Sequence, residues 1–374
     1  MIHIQRITTQ EEFDGLAAVW NPLLENSASR TIALTWEWQS TWWAVFGGGP
    51  RELNVLVATL GGEVVGIAPF IRRTVLHYGL PFVRLEFIGA GEDEADEICS
   101  EYLDIIIRRG LESDVCSAML RYLSNSDDWD EISLDAIQSS SASLGVLGQL
   151  PADPSLRRRT VSTDKGSFIE LPATYAEYVG RLGRYLKRDI RRDRRVAIAN
   201  QAELRVIDSK EAFEASFQTL VQLHEARWAP HGKPGAFASQ KFTRFHRLLA
   251  AKILDKGWLK LFFLYVADRP IAALQVFAYD RKLLVYQSGL IPHSAPVLHP
   301  GTLVRDLAIE WAIAKGFAEW DMLRTKVGSY KLRWSDTTRD IVSVRLARSR
   351  SKELIYSATD MVVGGLRQIR RAIT

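Results

Sequence analysis

Tyr286-Gln287-Ser288-Gly289 closes an apolar run, and after a proline-containing loop His299-Pro300-Gly301-Thr302 opens a new periodic segment. That segment leads into Glu319-Trp320-Asp321-Met322-Leu323, a short and nearly continuous apolar stretch. The spacing predicts a strand from Lys282 to Leu290, a helix from Gly301 to Lys315 and a buried strand from Glu319 to Leu323. A strand that feeds a helix through Pro-Gly leaves helix-terminal N–H groups facing outward. Those of Gly301, Thr302 and Leu303 could donate to a pyrophosphate, aided by the positive end of the helix dipole. The same residues also read as an ordinary helix start with proline near its first position.

Working outward, the same order of elements recurs. Before this stretch, Leu259 to Ala267 and Ile271 to Tyr279 read as strands joined by a turn at Asp268-Arg269-Pro270. Helices are expected over Tyr175 to Asn200, Lys210 to Trp228 and Lys241 to Lys256, and Val342 to Ala347 closes the sheet. In the first half, helices are expected at Glu11 to Leu24 and Trp36 to Val45. Leu53 to Leu60 and Val64 to Ile71 form a hairpin through Gly61-Gly62. Strands at Val83 to Ile88 and Leu103 to Ile107 then precede a helix, Ser113 to Ser124, and a strand, Glu131 to Leu134. Each half is therefore a meander, a helix and a strand, which reads as a duplicated α/β (mixed α+β) architecture.

The serine- and proline-containing stretch before residue 160 marks a boundary, giving an N-terminal domain over 1–160 and a C-terminal domain over 161–350. Residues 351–374 carry apolar positions at helical spacing with Arg367, Arg370 and Arg371 near the end. They read as an amphipathic helix that docks on the body, on a partner, or on an anionic membrane surface.

The chain has 374 residues and a net charge of +4, which permits an anionic ligand without demanding nucleic acid. Its two cysteines, Cys99 and Cys116, have no metal-type spacing, so neither a disulfide framework nor a zinc site is expected. The N-terminus lacks a basic-then-apolar signal pattern and no apolar run is long enough to span a bilayer. The expected location is cytoplasmic, with peripheral attachment at the inner face of the membrane through the tail.

Several of these segments carry a resemblance. Ile67-Ala68-Pro69-Phe70, Tyr102-Leu103-Asp104, Leu223-His224-Glu225-Ala226-Arg227-Trp228, Ala236-Phe237-Ala238, Tyr286-Gln287-Ser288-Gly289, Pro300-Gly301 and Tyr330-Lys331-Leu332-Arg333-Trp334 resemble the CelD/BcsL group over most of residues 30–340. That group comprises GNAT-type proteins of cellulose and exopolysaccharide biosynthesis, related to the FemAB peptidyltransferases. The resemblance implies tandem GNAT-like domains, each a mixed, mostly antiparallel sheet flanked by helices. It also implies transfer of an acyl group, in the simplest case acetyl from acetyl-CoA, to an amine of a cell-envelope or exopolysaccharide precursor. The usual Gln/Arg-x-x-Gly-x-Gly/Ala pyrophosphate signature is absent. The N-terminal half, where Gly89-Ala90-Gly91 runs into Glu92, Asp93 and Glu94, is expected to have lost the donor site.

Candidate residues follow from both readings. Gln287, Gly301, Thr302, Leu303 and Lys331 form the expected donor-binding set, Lys331 as a point charge for phosphate. Tyr330 is the candidate acid for a departing thiolate, and Asp104 or His224 the candidate base. His224, Arg227 and Trp228 share a helix face, as a site wall or as a structural clasp. Asp321, on a buried strand, is assigned to the substrate and needs a cationic partner, for which Arg324, Lys331 and Arg333 are in range. The basic run from Arg181 to Arg195 is a solvated face, a phosphate site or a tRNA surface. The last would make the chain an aminoacyl-tRNA-dependent transferase, the second choice for function. A non-catalytic scaffold of a polysaccharide synthesis complex is the third.

Overall fold

The computed structural model describes residues 1–77, 79–149, 156–291, 299–326, 328–335 and 337–348. The expected C-terminal helix at 351–374 lies outside the described residues, as does most of the loop before His299.

The first half contains β1 (His3–Ile7), α1 (Gln10–Asp14), α2 (Ala17–Glu25) and α3 (Trp36–Phe46). These are followed by β2 (Arg51–Leu53), β3 (Val55–Leu60), β4 (Glu63–Ala68), β5 (Phe70–His77), β6 (Leu80–Phe87) and β7 (Ile106–Ile107). Then come α4 (Glu112–Ser124), β8 (Glu131–Gln138) and α5 (Ala142–Gln149). The long strand β9 (Leu156–Glu170) leads to α6 (Tyr175–Arg181), α7 (Arg184–Ala199), β10 (Glu203–Ile207), α8 (Lys210–Trp228) and α9 (Gln240–Ile253). The meander β11 (Leu259–Val266), β12 (Arg269–Tyr279) and β13 (Lys282–Leu290) precedes α10 (Pro300–Ala314), β14 (Glu319–Thr325) and β15 (Thr338–Arg348).

The fold is a mixed α/β architecture of mostly antiparallel sheets flanked by helices. The Gly61-Gly62 hairpin forms as expected, with both glycines at positive φ (60° and 88°), the geometry of a type I′ turn. One sheet runs β1-β3-β4-β7; the other runs β10-β11-β12-β13-β14-β9-β15-β8-β6-β5-β2. In both halves the third strand of the meander meets the strand after the helix in parallel. Lys282–Leu284 pair with Glu319–Asp321, and Arg84–Glu86 with Glu131–Ser133.

The closing strands are exchanged. β9, which follows the first repeat, pairs with β14 of the second, whereas β15 pairs with β8 of the first. β9 and β15 also pair with each other along Leu156–Ser167. β9 spans the expected boundary near residue 160, where the sequence reading places no strand, and it is the longest strand among the described residues.

The expected single helix Tyr175–Asn200 is two. Leu182 and Gly183 are both extended, Leu182 is buried, and glycines at 180 and 183 weaken the helix on either side. The meander β11–β13 is covered on one face by α8 and α9 and on the other by α6, α7 and α10. Across the seam between halves, Trp38 of α3 stacks edge-on against Phe245 and Phe277, at 5.1 and 5.3 Å between ring centroids, and donates to Ser100 Oγ.

Gly289 of β13 lets α8 lie directly on the strand: a Cβ there would stand 2.4 Å from the backbone nitrogen of His224. The obstacle is backbone, which cannot swing aside. Gly289→Ala should therefore cost about 1–3 kcal/mol or more in urea unfolding, the cost of an overpacked core.

Candidate active site

After Leu284 and Asp321 the parallel ladder between β13 and β14 ends and the strands part. β13 is bulged: Gln275 faces Gln287 and Val276 faces Val285, so Tyr286 is an extra residue without a ladder partner. β14 is distorted too. Leu323 has φ 59°, its N–H donates to Asp321 Oδ1 at 2.6 Å, and the pairing with β9 slips between Asp321 and Arg324.

On the seam side of this opening lies a cleft of about 560 Å³, lined by Gln287 and Tyr286 from β13, Leu323 and Arg324 from β14, Lys331, and Glu92 and Glu101 from the N-terminal half. Glu101 is buried, and its Oε2 accepts the Arg324 N–H at 2.7 Å. Burial pushes its carboxyl up to about 7, with Asp321 reinforcing that rise and Arg324 opposing it. Glu92 is also pushed to about 7 by burial, against the hydrogen bond it accepts from the Trp42 indole. Neither carboxylate was among the sequence candidates, although Glu101 immediately precedes the Tyr102-Leu103-Asp104 motif.

Asp104 is not in this cleft. Its Oδ2 accepts from Ser29 and Ser141 at 2.6 and 2.7 Å, and Oδ1 from the Ile105 N–H at 2.8 Å, on the wall of a neighbouring cavity. Saturated in this way, it orients hydroxyls and is poorly placed to take a proton. His224 is likewise committed. Nδ1 donates to the Ser288 carbonyl at 3.0 Å and Nε2 accepts the Ala236 N–H at 3.2 Å, a neutral tautomer whose pKa burial lowers further. Of the two sequence readings, the geometry is that of a clasp. Arg227, on the next turn, donates to Ser288 Oγ, and the Trp228 ring lies beside His231.

The start of α10 differs from expectation. The N–H groups of Thr302 and Leu303 both point to the His299 carbonyl at 3.0 Å, and Leu303 is buried, so neither is free. Gly301 retains an N–H with no acceptor among the described residues. His299 itself is engaged by Asp193 and Arg192 of α7. A second cation, Arg305, lies one turn into the helix, where it donates to the Gly301 carbonyl at 3.4 Å. It is 6 % exposed, its Nε has no partner among the described residues, and it lies 4.9 Å from the Tyr330 ring and 5.3 Å from that of Trp334. No described carboxylate pairs with Arg305 or Arg227. A buried guanidinium without a counter-ion is costly unless an anion completes it.

Tyr330 accepts from Arg305 Nη2 at 3.1 Å. Burial alone would raise its phenol, but Arg305, Arg227 and Lys331 outweigh that and hold it below the usual range. Lys331 donates to the carbonyls of Met322 and Arg324, the latter at 2.6 Å, so its charge is spent on β14 and not left for phosphate. Asp321, pushed by burial to about 6, faces Arg339 at 3.9 Å and none of the cations expected for it. Arg324 pairs with Asp164 at 3.3 Å and Arg333 with Asp189 at 2.9 Å.

With this geometry in hand, residues 184–332 match the family model described as an acetyltransferase (GNAT) domain. The C-terminal half carries an acyltransferase domain. No curated protein matches the sequence significantly. Among solved structures, FemX superposes with a TM-score of 0.62 at 9% identity, covering 91% of this chain and 96% of FemX. L-PGS from Bacillus licheniformis gives 0.53 at 9% identity, over 95% and 97%. The C-terminal domain of a putative lysylphosphatidylglycerol synthetase from Agrobacterium fabrum gives 0.51 at 7%, over 94% and 96%. These likenesses are of fold. No described helix is long and apolar enough to cross a membrane, and no described group of His, Cys, Asp or Glu gathers to hold a metal ion.

Because Glu92 and Glu101 both titrate near 7 in the folded chain, above the 4.5 of a free carboxyl, the native state holds protons that the unfolded state has released. Their contribution is full below about pH 4.5 and is lost as pH rises through about 7. Urea melts should therefore show the protein losing stability from about pH 5 to about pH 8. Glu101→Gln should flatten part of that slope and be more stable than the wild type at the alkaline end.

Proposed function

We propose that the chain is an acyl-CoA-dependent N-acyltransferase, acetyl in the simplest case, acting on an amino sugar or other amine of a cell-envelope or exopolysaccharide precursor. One observation carries this reading: where β13 and β14 part, an ionisable glutamate stands in the cleft on one side and an anion-receptive corner lies at the start of α10. The corner comprises the Gly301 N–H, Arg305 and Arg227. These groups suit the phosphate end of the donor, with the bulged strand around Tyr286 and Gln287 beside the acyl-bearing arm.

The chain's own residues then have defined tasks. Glu101, ionised above about 7, accepts the proton of the attacking amine as the carbon–nitrogen bond forms. Tyr330, its phenol acidified by the three neighbouring cations, donates its proton to sulfur as the carbon–sulfur bond breaks. The remaining acceleration comes from holding amine and thioester together in a cleft between rigid strands.

The test is thiol release from acetyl-CoA with amino-sugar acceptors. Glu101→Gln should lower kcat by about 10²–10⁴-fold and abolish the ascending limb near pH 7. Arg305→Met should leave that limb in place and raise the KM for acetyl-CoA about tenfold or more, the loss of a charge-assisted contact. A second reading keeps the site and takes the acyl group from aminoacyl-tRNA. What favours it is the exposed basic face of α7, where Arg184, Arg188, Arg191 and Arg195 all reach solvent. Transfer from charged tRNA, with no thiol release from any acyl-CoA, would establish that reading in place of the first.

A further inference from the structure

Beside the candidate active-site cleft, across Tyr102 and Leu103, the seam holds a second cavity of about 280 Å³ that the acyl-transfer reading does not use. Its walls come from four separate places: the segment after α2, the Tyr102–Asp104 stretch, the end of β8 with the turn into α5, and the strands β12 to β15. The volume suits one hexose-sized group.

The polar groups in it are fixed and mixed in sign. Ser29 and Ser141 both donate to Asp104, which orients their oxygens; Ser141 Oγ also accepts the Leu144 N–H at 3.3 Å, and each hydroxyl keeps a lone pair to accept with. Gln138 spends its Nε2 on Ser140 Oγ at 2.8 Å, so its carbonyl oxygen is left as an acceptor. Arg339 is a donor that stays charged, held at 2.7 Å from Glu319. Thr31 lines the cavity at 8% exposure, and its hydroxyl has no partner among the described residues. An unmade hydrogen bond at a buried hydroxyl is costly, and a ligand that supplies the missing partner removes that cost.

Carboxylates (Asp104, Glu319, Asp321) and cations (Arg339, Lys282, Arg30) are balanced around the cavity, so it selects neither a strong anion nor a strong cation. A neutral ring bearing several hydroxyls, each able to donate and accept, fits that alternation. We infer that this cavity is a saccharide subsite, holding a monosaccharide unit of the acceptor next to the cleft where its amine reacts. The assignment rests on the acyltransferase reading only for the word acceptor; binding of the sugar itself does not depend on it.

The experiment measures saturation-transfer NMR and calorimetric titration of glucosamine, N-acetylglucosamine and glucose on the full chain, without any acyl donor. Binding of at least one is expected, weakened about fivefold or more in Thr31→Val, a loss in the range of a single hydrogen bond. Thr31→Val should melt at the wild-type temperature or above, because it removes an unpaired buried hydroxyl. A second variant, Ala142→Leu, narrows the cavity and should abolish binding. If no sugar binds, or if binding survives both folded variants unchanged, the subsite is wrong, even if acetyl-CoA is turned over with simple amines. Sugar binding without thiol release from any acyl-CoA would instead uphold the subsite and sink the acyl-CoA reading.

Discussion

The exchange of β9 and β15 is the constraint on which the rest depends. Each half ends in a strand that completes the other half's sheet, and the two exchanged strands pair with each other in the middle. The halves therefore cannot slide or hinge without breaking a backbone ladder, whereas a side-chain interface between domains would allow motion. Both cavities lie on this seam and draw walls from both halves. The hydrogen bond from the Arg324 N–H to Glu101 crosses it. So does the bond from the Tyr286 hydroxyl to the Ile98 carbonyl. The N-terminal half supplies the two ionisable carboxylates, Glu92 and Glu101, to the candidate cleft.

Much of the fold was legible in the sequence because its signals are local. Lys282–Leu290 and Lys210–Trp228 were read to the residue, and Gly61-Gly62 fixed its hairpin through the positive φ that glycine allows. β9 was missed for a physical reason. Along Leu156–Asp164 it pairs only with β15 and its side chains are largely solvent-exposed, so no apolar periodicity marks it. Its partner lies almost two hundred residues away, a distance that no window of sequence spans. The break in the basic helix at Leu182-Gly183 was hidden by the continuous charge pattern on either side.

The site was legible as a region and less so residue by residue. Tyr286 and Gln287 line the candidate cleft, while Ser288 and Gly289 serve to seat α8 on the strand. Ser288 receives His224 and Arg227, and Gly289 admits the backbone of α8. His224 stood as a candidate base or a structural clasp, and here the sheet and Ala236 hold both its nitrogens. Asp104 drew attention as an acid at a strand end. Sequence cannot tell which of two acids three residues apart will be saturated by serines and which will be left near neutrality, because those serines come from residues 29 and 141.

The distortion of β14 ties these observations together. A non-glycine residue at φ 59°, Leu323, costs about 1–2 kcal/mol and takes its neighbours out of the ladder. Each freed backbone group finds a specific replacement. Asp321 accepts the Leu323 N–H, Glu101 accepts that of Arg324, Lys331 covers the carbonyls of Met322 and Arg324, and Thr325 donates to that of Leu323. Two residues expected to meet ligands, Asp321 and Lys331, are thus committed to keeping β13 and β14 apart. Glu101 differs from them in one respect. Its bond to Arg324 needs only an acceptor oxygen, which a carboxyl offers whether or not it carries a proton. Glu101 can therefore hold the strand open in both protonation states, and this leaves its proton free for chemistry.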